Sequence, residues 1–66
     1  ERAVMLADEL AELPPDYRQV LLLRNLEGMS FAEVAEKMQR SAGAVRMLWL
    51  RAVDKLRQQL TDKGLI

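Results

Sequence analysis

The chain has 66 residues, half of them hydrophobic and 30% charged, a composition that suits one small globular unit with a thin core and not a disordered tail. It has no cysteine and no histidine, which excludes disulfide staples, thiolate or imidazole metal sites and any nucleophile that depends on Cys or His. Ten bases balance ten acids, yet residues 1–36 carry eight acids against three bases and residues 37–66 seven bases against two acids, a polarity that either marks one end for a polyanion or is a dipolar solvated surface.

No β-strand pattern is present, so the predicted architecture is all-α. Residues 2–13 form a first helix with Val4, Leu6, Leu10 and Leu13 at mixed three and four spacings, stopped by Pro14-Pro15. A second helix covers 15–27: Pro15 suits a first helical turn, Asp16 complements the positive helix start, and Gly28 is a natural stop. Ser30 and Glu33 are spaced as a capping box for a third helix, 30–38, with Met29 and Val34 placed as its hydrophobic staple. Ser41 is a good N-cap for a fourth, 41–60, whose apolar stripe is Val45, Leu48, Trp49, Ala52, Leu56 and Leu60, with Trp49 as a core anchor. Thr61 to Ile66 reads as a fraying end. No winged element, repeat or interdomain linker is expected, so residues 1–66 read as one four-helix domain. Opening on Glu1 without an initiator Met, the chain reads as a piece of a longer protein.

Residues 30–60 therefore spell a short capped helix, a turn at Gln39-Arg40-Ser41 and a longer helix. So tight a join needs a small residue at the crossing, Ala35, and matching apolar positions at Val34, Met38, Val45 and Leu48. This is helix-turn-helix spacing, in which the second helix enters the DNA major groove. Arg46 and Arg51 lie off the apolar stripe and can reach phosphates or guanine edges. Arg40 and the amides capped by Ser41 sit where a phosphate would meet a helix start. Met47 and Leu50 are apolar on the face expected to be wet, either as thymine-methyl contacts or as a core or partner surface. Ser30 and Ser41 have no histidine to activate them, and Asp8, Glu12, Glu33 and Glu36 fall on solvated faces, so no catalytic residue, cofactor or metal is expected.

The stretches Leu13–Val20, Leu22–Ala35, Gly43–Arg46, Arg51-Ala52 and Leu56-Arg57 together resemble region 4 of a bacterial RNA polymerase sigma factor, of the extracytoplasmic-function type. The resemblance covers nearly the whole chain and is weakest in the first dozen residues. It implies a cytoplasmic transcription-initiation protein whose last helix binds the duplex promoter −35 element. A second surface would hold the flap of the polymerase β subunit, and in many members an anti-sigma factor covers the domain. The DNA-contacting positions it implies fall on Ala44, Arg46, Met47, Leu48, Leu50 and Arg51, with a further basic position at Arg24. The family commonly has Thr-Val-Lys/Arg-Ser-Arg where this chain has Ala44-Val45-Arg46-Met47-Leu48, which removes two or three potential hydrogen bonds and implies a different promoter sequence. Glycine is frequent where this chain has Gln39. A response-regulator effector domain and a helical protein-interaction module are the alternatives to this reading.

Overall fold

The computed structural model describes residues 2–66, with side chains from residue 6 onward. The helices are α1 (Arg2–Ala11), α2 (Pro15–Leu21), which runs on into a π-helical turn (Leu22–Leu26), α3 (Phe31–Met38) and α4 (Ala42–Asp62). Among the described residues there is no strand. The Val4 side chain, expected on the first apolar stripe, lies outside the described residues.

Each boundary has a local chemical cause. After Ala11, two residues short of the expected end, the chain tightens through bonds from the Glu12 amide to the Glu9 carbonyl (3.2 Å) and from the Leu13 amide to the Leu10 carbonyl (3.1 Å). Pro14 and Pro15 then supply no amide to continue, and Pro15 opens α2. The expected uniform helix over 15–27 departs from α geometry at Leu22. There the Glu27 amide donates to the Leu22 carbonyl five residues back (3.0 Å), and past Gly28, at φ +69°, the Met29 amide reaches Leu23 (3.1 Å). The wider turn holds one residue more than an α turn would.

The capping box closes as read: the Ser30 hydroxyl accepts from the Glu33 amide (3.1 Å) and the Glu33 carboxylate from the Ser30 amide (2.8 Å). Gln39 ends α3 in the left-handed region (φ 57°, ψ 48°), which lets the Arg40 amide donate to the Ala35 carbonyl at 2.9 Å. One residue later the Ser41 hydroxyl accepts from the Ala44 amide (3.1 Å) and α4 begins. That helix outruns its expected end, so Thr61 and Asp62 are helical and not frayed. Its stop is Gly64, whose φ of +70° lets the Leu65 amide bond the Leu60 carbonyl at 2.8 Å.

The core is small and continuous: Leu13, Val20, Leu21, Leu23, Val34, Ala35, Val45, Leu48 and Ala52. α4 is its spine, packed against α1, α2 and α3. Val20, Val34 and Val45 are fully buried, each worth about 1.5–3 kcal/mol of apolar transfer. Met29 and Met38 are half-buried against this cluster. Trp49 is also only half-buried, so it is not the interior anchor the stripe suggests. Its indole N–H needs a partner and finds the Asn25 side-chain oxygen at 2.8 Å, which keeps the ring at the rim.

One buried acid went unforeseen. Glu9 is 4% exposed, and its carboxylate accepts from Lys63 Nζ (2.9 Å) and Gln59 Nε2 (3.3 Å), while Gln59 also donates to the Glu9 carbonyl (3.1 Å). Lys63 bonds Glu12 as well. The two carboxylates, Glu12 first and Glu9 second, hold the lysine above its ordinary pKa. This cluster fastens α1 to the far end of α4.

Candidate nucleic-acid interface

α4 is buried along Val45, Leu48 and Ala52, so the 100° step per residue turns Gly43, Met47, Leu50 and Asp54 directly away from the core. Arg46 and Arg57 flank this outward line on one side, Ala44 and Arg51 on the other, and all of them are exposed. Met47 and Leu50 are 50% and 49% exposed, so neither extends the core. Leu48 is buried on the inner face (6% exposed), which removes it from the DNA-contacting positions that the resemblance implied.

The start of α4 is equally open. Ser41 satisfies the Ala44 amide, but those of Ala42 and Gly43 belong to a first turn with no intrahelical acceptor for them. A Cβ added at Gly43 would meet nothing within 4 Å, so the backbone there can approach a large anion closely. Arg40 stands beside this turn, exposed, 3.7 Å from the Asp16 carboxylate. A pair so solvated is weak and can exchange Asp16 for a phosphate.

Arg24 is placed differently from the others. It is half-buried, Nη1 donates to the Met29 carbonyl (2.8 Å), and its guanidinium carbon lies 4.6 Å from the centre of the Phe31 ring. Arg46 leans on the same ring at 5.4 Å, and Trp49 meets it edge-on with centroids 5.8 Å apart and planes at 71°. Phe31, read from the sequence only as a helix start, thus joins two of the expected DNA-contacting arginines. A Phe–Arg contact between separate elements has no local spacing signal that could have announced it.

A model of the family described as sigma-70, region 4 matches residues 3–56, most of the chain. The chain belongs to that family. Sigma factor relatives agree: it is 40% identical over 57 residues to RNA polymerase sigma factor CarQ of Myxococcus xanthus, a match covering 86% of this chain and 33% of that protein. Identity is 39% over 61 residues to the RNA polymerase sigma-E factor of Streptomyces coelicolor, covering 92% of this chain and 34% of the relative. It is 39% over 57 residues to the ECF RNA polymerase sigma factor BldN of the same organism, covering 86% and 22%. The chain thus spans about a third or less of these sigma factors.

A second surface lies apart from the exposed face of α4. An apolar groove of about 300 Å³ is lined by Leu6, Leu10, Leu22, Leu26, Val53 and Leu56, between α1, the π-helical turn and the middle of α4. It uses none of the exposed α4 residues named above. No helix among the described residues is long and apolar enough to cross a membrane.

Proposed function

We propose that this chain is the module by which a sigma factor holds the −35 element of its promoters while directing transcription initiation by bacterial RNA polymerase in the cytoplasm. It binds and does not catalyse. The observation that carries the reading is the outward face of α4: a convex ridge, exposed along its length, with arginines on both flanks and an open helix start at its tip. Arg46 and Arg51 supply base-edge or phosphate contacts, Ala44 stands beside them, and Arg40, Arg24 and the turn at Ser41 hold the DNA backbone.

Met47 and Leu50 offer the DNA an apolar fit to thymine 5-methyl groups in place of the hydrogen bonds that polar residues would make. The apolar groove is the docking surface for the β flap of polymerase, and for an anti-sigma factor where one regulates the parent. Because groove and ridge share no residue, both can be occupied at once. None of the relatives named above is a response regulator, and the exposed cationic ridge favours DNA over a purely protein-binding module.

The test grafts this chain in place of region 4 of an extracytoplasmic-function sigma factor and selects upstream sequences from random duplexes with the assembled polymerase. One thymine-containing motif should be enriched at the −35 position. Arg46→Ala should weaken its binding by about 1–3 kcal/mol if the arginine reads a base. Replacing the selected thymines by deoxyuracil should lower affinity for wild type but not for Met47→Ala with Leu50→Ala. Recovery of random sequence would end the proposal.

A further inference from the structure

The ring behind the ridge has no place in the promoter-binding account so far. Phe31 opens α3, half-buried, and two of its three polar or aromatic neighbours are tethered by directed hydrogen bonds. Trp49, edge-on to the ring, is held by Asn25, and Arg24, over the ring, is held by the Met29 carbonyl. Both tethers come from the π-helical turn and the loop after it, so the ring is fixed by elements other than α4. The third neighbour is Arg46, exposed, with its guanidinium carbon 5.4 Å from the ring centre. Among the described residues, Arg46 has no hydrogen-bonded or ion-paired partner besides that ring.

The chemistry of this restraint matters. A carboxylate would order an arginine by consuming its N–H donors, and DNA would have to displace it. An aromatic ring orders a guanidinium through its cation and its π system and leaves all five N–H donors free for guanine or phosphate. Restricting a long side chain before it binds also removes part of the ordering cost on binding.

We propose that Phe31 is a positioning residue for promoter recognition: its ring, fixed by Trp49 and Arg24, holds the Arg46 guanidinium in place at the recognition face with its donors unspent. This rests on the promoter-binding reading, and the experiment separates the two.

The resonance of the Arg46 side-chain Nε–H group in the free chain reports the ring directly, because an aromatic ring shifts a proton lying over it. Phe31→Leu should move that resonance, and Phe31→Tyr should leave it close to its original position. In the grafted sigma factor, Phe31→Leu should lower affinity for the selected promoter about three- to fivefold, as expected of one exposed cation–π contact. Phe31→Tyr should restore binding, and in an Arg46→Ala background Phe31→Leu should have an effect under about twofold.

An undiminished effect in that background would mean the ring acts through packing or Arg24, and would overturn the proposal. So would an unmoved Arg46 resonance. Should Phe31→Leu fail to fold, Arg46→Lys carries the same test: it keeps the charge, gives up the planar group and should lose a similar factor, whereas binding equal to wild type refutes positioning. A wild-type graft that binds no promoter, with the resonance still shifting on Phe31→Leu, refutes the promoter reading alone.

Discussion

At Gln39 a residue with a Cβ is held at φ 57° and ψ 48°, a conformation that a non-glycine side chain enters at a cost of roughly 1–2 kcal/mol. The cost persists because the left-handed residue lets Arg40 close on Ala35 and so allows α4 to start only three residues after α3. Replacing Gln39 by Gly should remove the strain, partly offset by the greater freedom of glycine in the unfolded chain, for a net gain of about 0.5–1 kcal/mol. A shifted denaturant midpoint at unchanged slope is the measurement; a midpoint at or below wild type would show that the turn is not strained. Glu33 offers a test by pH. The hydrogen bond from the Ser30 backbone amide, with that of its hydroxyl second, holds this carboxyl below its ordinary 4.5. A folded-state pKa that is depressed adds stability above the unfolded value and loses it as pH falls through the folded one. Glu33→Gln can keep the capping geometry without titrating, so its melting temperature should fall less than wild type on acidification from pH 5 downward. Parallel profiles for the two proteins would mean the carboxylate is not engaged. The cap was legible in the sequence because Ser30 and Glu33 lie three positions apart, whereas the turn at Gln39 was signalled only by the glycine frequent there in the family.

Elements that depend on distant partners were less legible. The sequence around Leu21, Leu22 and Leu23 is uniformly apolar, so no periodicity betrays the π-helical turn that buries Leu23 while leaving Leu22 at the groove. Glu9 looks like any acid on a surface helix until Lys63 and Gln59, 54 and 50 positions away, are folded against it. Trp49 fitted the apolar stripe, but a stripe does not show that the indole has a polar partner. The packing of α3 on α4 was foreseen because its pattern repeats at helical spacing: Val34, Ala35, Val45 and Leu48 are all interior. Ala35 is 6% exposed on α3, so a larger side chain must displace a neighbour. Ala35→Leu should destabilise the protein by about 1–3 kcal/mol, the usual cost of overpacking. An unchanged melting curve would mean that α3 and α4 are not in close contact at that point.

At the scale of the molecule the charge polarity gains a meaning that composition alone could not give it. The acid-rich first half forms α1, α2 and the front of α3, whereas the exposed ridge of α4 lies in the basic half, so under the proposed function a duplex approaching α4 would meet arginines first. Asp54 continues the outward line beyond Leu50 and places a negative charge there, which confines favourable contact to the first three turns of α4. With three or four phosphates engaged by Arg24, Arg40, Arg46 and Arg51, the slope of log affinity against log salt should be about −2.7 to −3.6. Affinity should then fall roughly 40- to 150-fold between 50 and 200 mM salt. The same titration apportions the arginines. A phosphate contact removed by substitution makes the slope shallower by about one and weakens all duplexes alike, whereas a base contact leaves the slope and weakens the selected sequence alone. Arg40→Ala belongs to the first class by its place beside the helix start, Arg46→Ala to the second if the guanidinium held at Phe31 reaches a guanine. A slope near zero for the wild-type graft would mean that the exposed face of α4 meets something other than nucleic acid.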